Sequence, residues 1–328
     1  MNLHARLFQP ERDAGVWDEL CAGAPMATLL HTRRFLSYHG ARFSDRSLLL
    51  ADTASGLHGV FPAAVDPSDA SCVVSHPGVT YGGLVHDGLL RGEAVLEALA
   101  VVTRHYAETG FRLLRYKAVP VIYHAGSHQD DLYALFRLGA RVYRRDLTAV
   151  IDLRFPGIPS ARRRRAARRA ERAGLDFVRG EKALEAFWPV LETTLAERYR
   201  VHPVHTFEEI QILARRFPDN IEVLVAFDKG TAIAGTVLFH SRSATHAQYI
   251  AASDAGRDRH ALDAVFARAI AEARARGACY FDFGISNEDE GRVLNEGLYR
   301  FKYEFGAGSA VHEFYELDLT KRESYELT

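Results

Sequence analysis

The sequence predicts an α/β protein made of two tandem copies of one unit, each a mixed, mostly antiparallel sheet flanked by helices. Three observations predict it. The order strand-strand-strand-helix-strand-helix-strand can be read twice along the 328 residues. The amphipathic helix of each copy stops at a glycine, Gly110 and Gly277, as a helix end favours. A Pro/Gly segment, RFPGIPS at 154–160, separates the copies. The boundary is set at 155/156, giving domains 1–155 and 156–328 of ordinary size.

Each copy opens on a hairpin-like pair of strands. SLLLADTASGLHGVFPAAV in the first matches EVLVAFDKGTAIAGTVLFH in the second, with Gly59 and Gly235 early in the second strand. HPGVTYGGLVHD and THAQYIAASD are read as the ends of third strands. GEAVLEALAVVTRHYAETG and RHALDAVFARAIAEARARG follow as helices, then FRLLRYKAVP and CYFDFGIS as strands. A second helix and a final strand end each copy, at VIDL and at YELDL.

At 48% apolar residues the chain can build a sizeable core, and its formal charge of −1 limits any nucleic-acid surface to a local patch. Cys21, Cys72 and Cys279 are scattered in apolar contexts, which fits buried thiols in a reducing compartment. No apolar run approaches the roughly 20 residues that span a bilayer, and MNLHARLFQPERD has no apolar signal core. The expected location is the cytoplasm.

A third strand, a helix and a nearly parallel strand form a crossover unit. Where two such strands splay, they leave a slot for an acyl group and its carrier. In the second copy 249–253 and 282–286 should edge it. The repeated order, with PMATLLHTRRFLSYHG, SARRRRAARRAERAGLDFV, AGTVLFH, HAQYIAAS and LNEGLYRFKYEFG, resembles the Fem-type aminoacyl transferases, which carry two GNAT acyltransferase domains in one chain. The resemblance covers nearly the whole sequence. It implies transfer of an amino acid from charged tRNA to an amine. Two departures stand out. The Gly-rich loop that grips coenzyme A in this fold is reduced, in SDAGRDRHALD, to Gly256. Tyr38 and His39 occupy the place of a lysine that Fem enzymes set near a nucleotide-linked acceptor.

Lys302, between Phe301 and Tyr303, is the first catalytic candidate. A desolvated cation aimed at the acyl carbonyl oxygen stabilises the charge that builds there, and the resemblance implies this role for the Phe301–Lys302 pair. The alternative is a lysine snorkelling along a helix face. Tyr249 is expected to bond the acyl carrier or protonate a leaving group. Asp282 is expected to accept the amine's proton or to pair with a buried arginine. Ser253, Gly256, Arg257 and Arg259 are the candidate carrier-phosphate residues. His76, Tyr81 and Lys117 in the first copy, and Asn295 in the second, are candidate substrate contacts, with Ser286 as further lining. Gly82 and Gly83 are expected to admit a ligand or the other domain.

The stretch from Arg162 to Arg172 holds seven arginines with Ser160 as N-cap. It is either a solvated helix face or, through Arg165 and Arg169, a grip on phosphates. His202 and His205 suggest no metal site, because Pro203 intervenes and no third ligand is in register; Thr206 and Glu209 read as a capping box. No Walker loop, dinucleotide fingerprint, nucleophile elbow or paired-cysteine motif occurs. The expected protein is an N-acyltransferase with no tightly bound cofactor and no metal. Its preferred donor is aminoacyl-tRNA, and its acceptor is a small-molecule or peptide amine. The alternatives are an acetyl-coenzyme A-dependent transferase acting on an amino sugar or natural-product amine, and a non-catalytic nucleic-acid-binding module.

Overall fold

The computed structural model describes residues 2–54 and 56–321. Its chain divides into two units, each built on strands packed against helices. The first unit holds the residues up to Asp146, with Asp289–Arg292 and the chain from Val311. Its elements are β1 (Leu3–Leu7), α1 (Pro10–Gly23), α2 (Arg33–Leu36), β2 (Leu48–Asp52), β3 (Gly56–Phe61), β4 (Ala64–Asp66), β5 (Asp69–Val74), β6 (Val85–His86), α3 (Glu93–Glu108), β7 (Leu113–Lys117) and α4 (Asp130–Arg137). The first part of β8 (Arg141–Asp152) completes that run. One sheet has the order β1-β2-β3-β6, and a second runs β4-β5-β7 and on to β16 (Gly308–Asp318). Leu48 and Leu50 join the core under α3, with Leu96, Leu99 and Tyr106. Leu49, pointing the other way, packs with Trp17 of α1. That is the two-residue period of a strand buried on both faces.

The second unit holds Leu147–Glu288 and Val293–Ala310. It contains the end of β8, then α5 (Ala161–Arg172), β9 (Asp176–Arg179), α6 (Glu181–Tyr199), α7 (Phe207–Arg216), β10 (Ile221–Asp228), β11 (Thr231–His240), β12 (Ala244–Ala252), α8 (Asp254–Asp258), α9 (Ala261–Ala275), β13 (Tyr280–Ile285), β14 (Asn287–Glu288), β15 (Val293–Leu294) and α10 (Glu296–Tyr303). The strand order is β8-β13-β12-β11-β10-β9. Every pairing in that run is antiparallel except β12 with β13. Phe266 of α9 seats among Phe281, Phe283 and Phe305. The repeated strand glycines have a packing reason. A Cβ on Gly235 would stand 2.8 Å from the Phe187 ring of α6, and one on Gly59 would stand 3.1 Å from the Val85 carbonyl.

Ser160 caps α5, Thr206 and Glu209 form a reciprocal box on α7, and Gly110 and Gly277 end their helices at positive φ, as the sequence predicts. Two features differ. The third strand of the first copy is β5, sequence DASCVV; HPGVTYGGLVHD is mostly loop and ends in the two-residue β6. The units divide inside β8, between Asp146 and Leu147, not at 155/156. The end of β8 pairs with β13 of the second unit, and most of β16 pairs with β7 of the first. Among the described residues no helix is long and apolar enough to cross a membrane.

Candidate active site

The site forms where two parallel strands of the second unit stop pairing. The β12–β13 ladder is three residue pairs long, ending at His246 opposite Asp282, while β12 runs on to Ala252 and β13 to Ile285. Each strand carries an irregularity at this level. Gln248 is an extra residue on β12 against β11. Phe283 and Gly284 bulge from β13 against β8, with Gly284 at φ 80°. Bulges end pairing and re-aim side chains and carbonyls. The two strands thus stop pairing at the level where the sequence sets the edges of the slot.

Lys302 of α10 reaches the bulge. It is 3% exposed, and its Nζ donates to the carbonyls of Gly284 (2.9 Å) and Ile285 (2.5 Å). An ammonium has three donors, so one N–H remains beyond these two bonds. Burial lowers its pKa to about 8, opposed by the negative charge of Asp282. Phe301 and Tyr303 do not sandwich it. Successive helix residues point about 100° apart. Phe301 therefore turns to Phe266 and Phe305, while Tyr303 is 44% exposed. Water is excluded from Lys302 by its burial against β13.

Asp282, which the sequence offers as acceptor of the amine's proton or as partner of a buried arginine, is fully buried and faces a histidine. Its Oδ1 accepts from Thr148 Oγ1 and from the Gly284 amide (2.8 Å), and its Oδ2 faces His246 Nδ1 at 2.8 Å. His246 is not among the sequence candidates. The signal for it is its place on the strand beside Asp282, which becomes visible only once the register is known. The Tyr249 hydroxyl accepts from the His205 amide (3.0 Å) and meets His205 Nδ1 at 2.7 Å. Burial pushes the phenol up to about 12, so it stays protonated at neutral pH. Tyr249 thus anchors the segment before α7. His205 is its partner. Asn295 caps α10, its Oδ1 accepting from Leu298 N and its Nδ2 donating to Glu288. Ser286 Oγ is buried without a hydrogen-bond partner among the described residues.

The carrier-phosphate candidates are engaged inward. Ser253 caps α8 by accepting from Gly256 N, and a Cβ at Gly256 would clash with the Ile233 carbonyl. Arg257 donates to the Ala252 carbonyl (2.5 Å) and pairs with Asp254; Arg259 pairs with Asp228 at 2.9 Å. On α5, Arg163 is buried, pairs with Asp263 at 3.1 Å and covers the Phe301 ring. Arg165, Arg168, Arg169 and Arg172 are exposed and make no ion pair among the described residues.

Residues 160–302 match the family model described as an acetyltransferase (GNAT) domain. No curated protein sequence matches the chain. Among solved structures, FemX is similar over 96% of this chain and 97% of its own, at 13% identity and a TM-score of 0.69. The C-terminal domain of a putative lysylphosphatidylglycerol synthetase from Agrobacterium fabrum follows at 14% identity, with coverage of 97% and 94% and a TM-score of 0.62. A tandem GNAT protein from the clavulanic acid biosynthesis pathway matches at 15% identity, coverage of 97% and 99%, and a TM-score of 0.53. The chain has the Fem-like tandem GNAT fold.

In this tandem GNAT fold the two copies differ at the same place. The first copy also has a parallel ladder three pairs long, Cys72–Val74 against Leu113–Arg115. There the next residues fold back over it. Lys117 Nζ donates to the carbonyls of His76 (3.2 Å), Pro77 (3.3 Å) and Val79 (2.5 Å), which uses all three donors. It is therefore no phosphate ligand. His76 is buried at φ 66°, and burial holds its imidazole well below the usual value. Tyr81 packs on His31 and Tyr123. Gly82 and Gly83 admit no ligand; Cβ atoms there would strike the Ser75 carbonyl and the Tyr116 ring of the same unit. The structure gathers Lys302 and Asp282 around β13, leaves Tyr249 and Asn295 in supporting bonds, and in the other unit buries His76 and Tyr81 and half-buries Lys117.

Proposed function

We propose that the protein is an N-acyltransferase that moves an aminoacyl group from charged tRNA to an amine by direct attack. The observation that carries this reading is Lys302. It is a buried ammonium at the end of the β12–β13 slot, with two N–H groups fixed on β13 carbonyls and the third available. That N–H would meet the carbonyl oxygen as the tetrahedral intermediate forms, and a pre-oriented donor of this kind typically contributes roughly 10²–10³-fold in rate. No covalent enzyme intermediate is needed; positioning and charge stabilisation do the work.

Two further observations favour tRNA over coenzyme A. The segment at 253–260, where the fold would hold a pyrophosphate on backbone N–H groups, is wound into α8, and the amides of Ser253, Gly256, Arg257, Arg259 and His260 are already bonded within the unit. Helix α5 presents four exposed arginines with no ion pair among the described residues, suited to a phosphate backbone. The second reading is acetyl-coenzyme A as donor, favoured by the match of 160–302 to an acetyltransferase domain. A filter-binding titration with total aminoacylated tRNA, competed by acetyl-coenzyme A, separates the two. Saturable, salt-dependent tRNA binding that weakens on deacylation supports the first. Tight coenzyme binding without tRNA binding supports the second.

A further inference from the structure

The His246–Asp282 couple lies at the last paired position before the slot opens, and a carboxylate held as Asp282 is held does not meet substrate itself. It is fully buried and takes hydrogen bonds from Thr148 and the Gly284 amide. What it does present is an imidazole. Asp282 Oδ2 stands 2.8 Å from His246 Nδ1, which favours the tautomer with the proton on Nδ1 and the lone pair on Nε2. The His246 side chain is 18% exposed, against 0% for its partner. The ring lies over Gly284, where a Cβ would stand 3.3 Å from Cε1. The Gly284 carbonyl is in turn an acceptor for Lys302. One bulged glycine therefore spaces a base and a cation around the same end of the slot.

We infer that His246 is the general base for the acceptor amine and that Asp282 is its positioning residue, a reading that rests on the acyl transfer proposed above. The acceptor ammonium gives one proton to His246 Nε2 and becomes a nucleophile. Its lone pair forms the C–N bond while the carbonyl pair moves to the oxygen beside Lys302. The intermediate then collapses, the bond from carbon to the carrier's oxygen breaks, and that oxygen takes one of the two protons on the attached nitrogen. His246 releases its proton to water, so the imidazole ends as it began.

The test uses two nucleophiles on the full-length chain, with aminoacylated tRNA or acetyl-coenzyme A as donor. Lysine is protonated at neutral pH and needs the base; hydroxylamine is already neutral and does not. His246→Gln should lower transfer to lysine by roughly 10²–10⁴-fold, the range for general-base catalysis, and leave transfer to hydroxylamine within a few-fold of the parent. Asp282→Asn should move the same ratio in the same direction, which misfolding would not do because it lowers both rates together. Unchanged lysine transfer in His246→Gln, or equal loss with both nucleophiles in both variants, overturns the inference and leaves Lys302-dependent transfer standing. A parent protein that transfers to neither nucleophile from either donor overturns the proposed function itself.

Discussion

Lys302 and Lys117 are the same residue type at corresponding slots, and burial lowers each to about 8. The difference between them is one hydrogen bond, three acceptors for Lys117 and two for Lys302. Lys302→Met is expected to lower kcat by roughly 10²–10³-fold, with donor affinity nearly unchanged in a binding titration. An effect confined to binding would remove Lys302 from the chemistry. Lys117→Met is expected to lower the melting temperature instead. The pH dependence has a definite sign. The ammonium of Lys302 is present below about 8 and lost above it, so the Lys302-dependent rate should fall as pH rises through that value. Lys302 itself is legible in the sequence. Its surroundings are not, because neighbours in sequence are not neighbours in space on a 3.6-residue helical turn. His246 is not legible either, since its partner lies 36 residues away across a strand register.

Helix α5 divides its arginines by face. Arg163 is packed over Phe301 and Phe305 and paired with buried Asp263. Removing one member of such a pair leaves an unpaired buried charge, at about 3–5 kcal/mol. Arg163→Ala should therefore shift the denaturant midpoint strongly. Arg165→Ala with Arg169→Ala should leave the midpoint alone and flatten the salt dependence of tRNA binding, by roughly one in the log–log slope for each phosphate that the helix no longer grips. Composition shows the arginine run but not this division, because the alanines Ala166 and Ala170 that set the buried face fix only which side is inward. Caps and helix ends are legible because their chemistry is local, within three or four residues. The loop HPGVTYGGLVHD is not, because its apolar and aromatic residues are buried by folding over β7, and burial alone resembles a strand.

At the scale of the molecule, the repeat is legible in the order of elements, while the destination of its last strands is not. The pattern VIDL or YELDL says strand, not which sheet. Separate expression of 1–155 and 156–328 should accordingly give insoluble or unfolded halves, checked by solubility and far-ultraviolet circular dichroism. Two soluble, cooperatively melting halves would contradict the membership of β8 and β16 described above. The first unit also carries a pH liability. His31, His86 and His124 are buried and held at about 4. Between their unfolded value of about 6.5 and 4, the unfolded chain binds protons that the native state refuses. Stability should therefore fall as pH drops through that window, by on the order of 1.4 kcal/mol for each imidazole and each pH unit crossed. A melting series from neutral pH downward checks it.

The pairing of β7 with β16 brings Arg115 to Glu316, 201 residues apart in the chain. A ribosome delivers β7 long before β16. For most of synthesis the growing chain therefore carries a half-finished sheet whose exposed edge is ready to pair with a neighbouring nascent chain. The order of translation makes the first unit the last to be completed, and its yield in the cell should respond to elongation rate and to holdase chaperones more than its final stability would suggest.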